Sequence, residues 1–508
     1  MQRCIAELSE VSRRHSTSLN ALAEEGQNIR RFTTLNKSKY LRRKQKIEYT
    51  YLTRKVEVEP QEFEKVQSGE LVLSKRERVN DESIDTSNLI EKVVEYGNMK
   101  LAIERVLKNK GSHGVDGMKT DELREHINKH WYTTIKSKIL ENRYKPSPVR
   151  RKEIPKDDGG VRLLGIPTVL DRTIQQAISQ VLSSIYEPTF SDSSFGFRPN
   201  KGARDAIIKA KQYINEGNRY VVDMDLEKFF DKVNHDILMD KLEERIKDKV
   251  LLSLIRKYLK SGIMINGLEV CNEEGTPQGG PLSPLLANIM LDELDKELEK
   301  RRHKFCRYAD DCNVYVKSAR AGKRIMDSVT TLLEGKLKLK VNRNKSAVDL
   351  VSKRKFLGFS FYFAKDGAQI RVHDKSYNKF KNKIRQITNR NKGVSMEYRL
   401  KKLNQVTVGW INYYGIAKAK SRIIELERWI RRRLRACIWK TWKKVKTRHN
   451  NLVKLGVENY KAWEYANTRK GYWRISNSPI LNTSLSNKYL EKLGFINISK
   501  RYQMIHQF

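Results

Sequence analysis

Apolar positions return along this chain in two rhythms. From residue 85 onward Leu89, Val93 and Val94, then Leu101, Ile103, Val106 and Leu107, recur at helical spacing. Residues 284–301 do the same with Leu286, Ile289, Met290 and Leu294, behind Ser283 as an N-cap and Pro284 in the first turn. A longer stripe of Ile423, Leu426, Ile430, Leu434, Ile438 and Val445 predicts one amphipathic helix over 422–446. The second rhythm is that of strands. Residues 219–225 predict a strand with Val221, Asp223 and Asp225 on one face, and residues 304–316 predict two strands about a tight turn. Three glycines make 111–117 a loop. Such irregular alternation predicts an α+β fold rather than a doubly wound sheet. No Gly-x-Gly-x-x-Gly or Walker-type loop supports a dinucleotide enzyme or an ATPase.

Charge changes the picture more than size does. The 508 residues include 102 Lys and Arg against 60 Asp and Glu, a net charge of +42. A compact chain with that excess repels itself unless a polyanion neutralises it, and nucleic acid is the usual one. The excess is concentrated: residues 365–508 alone carry a net +26. No run of about 18 apolar residues is present and residues 1–30 lack a signal-peptide core, so neither a membrane span nor secretion is expected. Five scattered cysteines without a Cys-x-x-Cys pair fit free thiols in a reducing cytoplasm. Residues 1–84 are polar, of mixed charge and without a catalytic cluster.

Chemistry gathers around acids. In Tyr308-Ala309-Asp310-Asp311, bounded by Phe305-Cys306-Arg307 and Cys312-Asn313-Val314-Tyr315-Val316, two carboxylates meet at the tip of an apolar hairpin. A hard divalent cation would resolve their repulsion, although Asp-Asp is also a favourable turn dipeptide. Asp223 and Asp225 end the other strand on one face, and spacing alone does not separate them. Asp225 could equally be a helix N-cap. A strand-end acid and a hairpin pair together can hold two Mg²⁺ ions about 4 Å apart for in-line phosphoryl transfer.

Asp225 with Phe230, and the Tyr-Ala-Asp-Asp at 308–311, resemble the palm motifs of reverse transcriptases. The branch resembled is the bacterial group II intron-encoded maturase–reverse transcriptases, of the compact C class. The carrying blocks are Ile154-Pro155-Lys156 with Gly160-Val161-Arg162-Leu163-Leu164-Gly165-Ile166-Pro167, Ser194-Phe195-Gly196-Phe197-Arg198-Pro199, and Gly275-Thr276-Pro277-Gln278-Gly279-Gly280-Pro281-Leu282-Ser283-Pro284. Asn342 with Lys345-Ser346, Phe356-Leu357-Gly358-Phe359 and Gly409-Trp410-Ile411-Asn412-Tyr413-Tyr414 follow in order. The resemblance begins near residue 85.

It implies a right-hand polymerase, with fingers and palm over 85–364 and an α-helical thumb or maturase-specific domain over 365–452. A basic DNA-binding tail over 453–508 follows, and 1–84 is an N-terminal extension of unknown role. The implied metal acids, for Mg²⁺, are Asp225, Asp310 and Asp311. Lys345 would lie near the leaving pyrophosphate as a general acid. Lys156, Arg162, Arg198, Phe230 and Gln278 would surround the dNTP, Phe230 by excluding a 2′-hydroxyl. Leu357, Gly358 and Phe359 would grip the primer end. Glycines of the 275–280 loop allow close backbone approach to a nucleotide.

In the basic region, Arg431, Arg432 and Arg433 run along the predicted helix with Trp429, Trp439 and Trp442 interleaved. Cations that track phosphates and rings that stack on bases point to RNA, Trp442 among the stacking rings. A core helix with buried tryptophans is the plain alternative. The expected partners are the intron RNA, an RNA template with DNA primer, target DNA and dNTPs. The resemblance implies no DNA cleavage, since the paired Cys-x-x-Cys and His-Asn-His elements of endonuclease-bearing relatives are missing. A non-catalytic splicing cofactor, or a free-standing relative used in DNA repair, would share much of the pattern.

Overall fold

The computed structural model describes residues 85–506 apart from 156–158, 266–267, 271–272 and 278. The extension over 1–84, Lys156 and Gln278 therefore lie outside the described residues. The helical rhythm after residue 85 resolves into α1 (Leu89–Val94) and α2 (Tyr96–Asn109), broken at Glu95 (φ −59°, ψ 141°). Leu101 faces solvent, whereas Met99, Ala102 and Val106 supply the buried stripe.

β1 (Val149–Pro155) and β2 (Val161–Ile166) form an antiparallel hairpin in register from Arg150↔Ile166 to Pro155↔Val161. After α3 (Val169–Tyr186) and α4 (Ala203–Asn215) comes β3 (Tyr220–Met224), the heart of the palm. β4 (Ile263–Ile265) and β5 (Leu268–Val270) extend the β1–β2 sheet to the order β2-β1-β4-β5. α5 (Ser283–Lys300) leads into β6 (Lys304–Tyr308) and β7 (Asp311–Val316), and α6 (Ala319–Gly335) into β8 (Ala347–Leu350). The palm sheet runs β6-β7-β3-β8, antiparallel throughout.

Both faces of this sheet are covered, and the alternation decides which side chain goes where. Val222, Met224, Phe305, Cys312 and Val314 join the core shared with α5 and α6. Val221, Cys306 and Tyr315 pack on the opposite face, with α4. Asp223 follows Val221 in the two-residue period, toward the second face, as expected. One local expectation fails: Ser283 does not cap α5 but is its first residue, and its hydroxyl donates to the Pro277 carbonyl at 2.8 Å.

β9 (Phe359–Ala364) and β10 (Gly367–Val372) form a hairpin that opens the helical region. α7 (Asp374–Ile387), α8 (Met396–Tyr414), α9 (Lys420–Thr441), α10 (Val445–Lys454), α11 (Asn459–Ala466) and the short α12 (Tyr472–Ile475) follow. Residues from Phe380 to Tyr502 contribute to one continuous core, so packing crosses position 453 without a break. The helix expected over 422–446 ends at Thr441 instead. There the Trp442 ring packs edge-on to buried Trp439, and the Trp442 carbonyl accepts from Arg448 Nε at 2.9 Å, which turns the chain out of the helix. Val445, counted in the stripe, is exposed. No helix among the described residues is long and apolar enough to cross a membrane.

Candidate active site

The β6–β7 hairpin closes through a two-residue turn, Tyr308 pairing with Asp311 and Ala309 taking φ +58°. A left-handed alanine costs roughly 1–2 kcal/mol, so surroundings must hold it. Gly196 presses on this tip: a Cβ there would lie 2.2 Å from the Ala309 nitrogen. Arg307 and the 193–195 segment exchange backbone hydrogen bonds, both at 2.9 Å. Beneath, the fully buried Arg307 guanidinium makes a bidentate pair with Asp295 on α5, Nε to Oδ1 at 2.7 Å. It also donates to Asn288 Oδ1, Ser194 Oγ and the Ala309 carbonyl (2.9, 2.8 and 3.1 Å). The paired charges thus fix the conformation of the acidic turn. Sequence reasoning passed over Arg307, Asp295 and Asn288. The available signal was an arginine inside an apolar strand, with two polar residues seven apart on the apolar face of α5.

Asp225 lies one residue past β3 and caps no helix. The next helical turn, Phe229–Asp231, has Lys228 at its N-cap position. The Asp225 backbone is clamped on both sides by the 342–346 loop. Its N–H donates to Ser346 Oγ at 3.0 Å and its carbonyl accepts from the Asn342 N–H at 2.8 Å. This loop carries Lys345, whose Nζ stands 3.9 Å from Asp225 Oδ2.

Asp223 has a different fate. Arg354 Nε donates to its Oδ2 at 2.8 Å, and Asn313, with its amide nitrogen turned inward, donates to Oδ1 at 3.1 Å. The same guanidinium donates to the Lys345 carbonyl at 2.8 Å. Geometry thus separates the two acids that spacing left equivalent: Asp223 is spent on positioning and Asp225 stays half-exposed.

Burial pushes the Asp311 carboxyl up to about 8, helped by repulsion from Asp223, Asp310 and Asp225. Burial also raises Asp310, with Asp225 adding to it and Arg162 opposing. Among the described residues no three such side chains are already drawn to metal-ligand distance. The donor set nonetheless fits a hard divalent cation: carboxylate oxygens, crowded by like charge, which a cation would relieve.

Two clefts meet at Asp225 and Lys345, which line both. The smaller, about 760 Å³, also holds Arg162, Phe230, Thr276 and Asp310. Phe230 is half-buried, its ring edge-on to Phe229, and its carbonyl accepts from the Thr276 N–H at 2.6 Å. The larger, about 1850 Å³, also holds Asp311, Leu357, Gly358 and a row of α7 residues that includes Lys375 and Lys383. Leu357 (φ +49°) and Gly358 (φ +87°) form a tight turn. Its carbonyls accept from Tyr413 Oη at 2.9 Å and from the His373 N–H at 3.1 Å.

Several expected site residues are placed elsewhere. Arg198 is buried against Glu187, with its remaining donors on the Ser191 and Ser194 carbonyls, so it turns into the protein rather than toward a nucleotide. Phe359 is a core ring under Tyr413 and Tyr414, leaving only Leu357 and Gly358 at the groove. Gly279 is exposed, but a side chain has no room there, since a Cβ would lie 2.6 Å from the Gly165 carbonyl. The arginine run of α9 is half-buried and bonds within the protein. Arg431 pairs with Glu427 and Glu491, and Arg432 lies over Trp473. Arg433 donates to the Thr388 hydroxyl and to carbonyls of Arg385 and Thr388. Trp442 packs against the core of the helical region.

Residues 154–361 match the family described as reverse transcriptase (RNA-dependent DNA polymerase), and residues 377–456 match the group II intron, maturase-specific domain. Protein YkfC of Escherichia coli (strain K12) is 32% identical over 312 residues, 54% of this chain and 82% of YkfC. Group II intron-encoded protein LtrA of Lactococcus lactis subsp. cremoris is 38% identical over 208 residues, 41% of this chain and 34% of LtrA. A putative COX1/OXI3 intron 2 protein of Saccharomyces cerevisiae is 31% identical over 369 residues, 71% of this chain and 41% of that protein. The chain thus spans most of the first relative and well under half of the other two. With a palm whose acids converge on one turn, followed by a maturase-specific helical region, this chain belongs to the group II intron-encoded reverse transcriptases and maturases.

Proposed function

We propose that the protein is an RNA-directed DNA polymerase that extends a DNA primer on an RNA template with dNTPs, and that it also binds the RNA of its own intron as a maturase in the cytoplasm. The supporting observation is the junction of two clefts at Asp225 and Lys345, with Phe230 in one and the Leu357–Gly358 turn in the other. Asp225, Asp310 and Asp311 would hold Mg²⁺, and a pair of such ions would supply charge stabilisation to the attacking and leaving oxygens of an in-line displacement. In that displacement the primer 3′-hydroxyl would lose its proton to solvent as its oxygen bonds to the α-phosphorus, while the bond from that phosphorus to pyrophosphate breaks. Lys345, whose Nζ stands 3.9 Å from Asp225 Oδ2, would give the departing pyrophosphate a proton. Arg162 offers fork-like donors to the triphosphate, and the Phe230 ring closes the space a 2′-hydroxyl would need. The net charge of +42 brings nucleic acid, including target DNA, to this surface.

Primer extension on an annealed RNA template tests the reading. DNA synthesis must require added Mg²⁺, stop on chelation, and be lost in Asp225→Asn while RNA binding persists. Extension by Asp225→Asn at the wild-type rate would overturn it. For the maturase part, the protein must speed release of its intron from precursor RNA.

A further inference from the structure

The half-buried arginine run on α9 does not end the positive surface; it supports a different one. The Arg432 guanidinium carbon lies 3.9 Å from the centre of the Trp473 ring, and its Nη2 donates to the Trp473 carbonyl at 2.9 Å. The ring is thereby held in place while the residue stays 38% exposed. Beside it, Tyr472 has Lys440 Nζ at 4.8 Å and Arg390 at 5.5 Å from its ring centre. The segment reads Arg469-Lys470-Gly471-Tyr472-Trp473-Arg474, with Arg469, Lys470 and Arg474 exposed. Among the described residues none of these cations has a carboxylate partner.

Adjoining rings among cations without a carboxylate partner suit a nucleic-acid strand better than an acidic peptide, because every nucleotide carries a planar base beside a phosphate, whereas the acidic side chains of a peptide bring no ring with their charge. A duplex keeps its base faces internal, whereas an unpaired base offers one. We propose that residues 469–474 form a stacking platform for an unpaired base of a single-stranded nucleic-acid segment, Trp473 carrying the base and Arg469, Lys470 and Arg474 the adjoining phosphates. Arg432 acts through Trp473, as a positioning residue. The inference rests on the reading above only in needing a nucleic-acid partner.

The test uses the full chain with its palm clefts filled by excess unlabelled template–primer. Binding of labelled single-stranded RNA, the same sequence as DNA, and a blunt duplex is then followed by anisotropy at several salt concentrations. Trp473→Ala should weaken single-strand binding roughly ten-fold with the duplex unchanged, and Trp473→Phe should keep most of it. Should Trp473→Ala lower the melting temperature, the surface variant Arg469→Gln/Lys470→Gln/Arg474→Gln decides. Its log–log salt slope for the single strand should flatten by about 2. Loss on RNA, on DNA or on both supports the platform and identifies its strand. No loss, or equal loss on single strand and duplex, overturns it. Primer extension runs alongside: its absence in the wild type would remove the polymerase reading and leave the platform result standing.

Discussion

Two clusters of charge that look alike in the sequence meet opposite fates. The palm acids Asp225, Asp310 and Asp311 are brought together with few partners of their own, while Arg431, Arg432 and Arg433 on α9, all half-buried, each find partners within the protein. The chemistry of the side chains explains the difference. An ionised carboxylate only accepts, so neighbouring carboxylates repel one another and either hold a proton, as the raised Asp311 does, or take a cation. A guanidinium carries five donors and two flat faces, so backbone carbonyls and rings can satisfy it without any ligand. Acids in a cluster are therefore informative, and arginines on a helix that already buries one face are ambiguous.

The comparison breaks most visibly at the acids. Asp310→Asn should lower Mg²⁺-dependent primer extension by roughly a thousand-fold or more, with RNA binding held within a few-fold. Near-normal extension would put the chemistry elsewhere. The next largest effect tests a charge pair that belongs to both worlds. Arg307→Met leaves Asp295 buried alone and should cost about 3–5 kcal/mol in denaturant unfolding. Adding Asp295→Leu should restore most of that stability without restoring extension, because the hydrogen bonds from Arg307 to Asn288 and Ala309 stay lost. Recovery of both would reduce the pair to packing.

The arginine run should respond in stability rather than in binding. Arg431→Gln leaves Glu427, which is only 4% exposed, with the Ser499 N–H but without its charge partner, and should cost about 3 kcal/mol while the salt slope of RNA binding stays unchanged. A slope that flattens by about one would return Arg431 to the phosphates. Rings sharpen the same contrast. Phe230→Ala should raise ribonucleotide over deoxyribonucleotide incorporation about ten-fold in single-nucleotide assays, and an unchanged ratio would make Phe230 a core residue. The smallest effect belongs to Arg433→Gln, about 1 kcal/mol from its hydrogen bonds to Thr388 and Arg385, read from the unfolding midpoint.

The sequence by itself determined the α+β class, the strand ending in Asp223 and Asp225, the hairpin carrying Asp310 and Asp311, and the family. Each rests on local period or on a motif whose chemistry needs no distant partner. The resemblance already preferred Asp225, with Phe230 five residues on; the tertiary structure adds the physical difference, since Arg354 and Asn313 reach across from other elements to occupy Asp223 alone. It likewise moved Arg198, Phe359 and the α9 arginines out of the expected contacts, and ended α9 at Thr441 through Trp439 and Arg448. Side-chain type and spacing say what a residue can bond. Which bond it makes is set by the partners that folding brings within about 3 Å, and for Asp223 that partner, Arg354, lies 131 positions away in the chain.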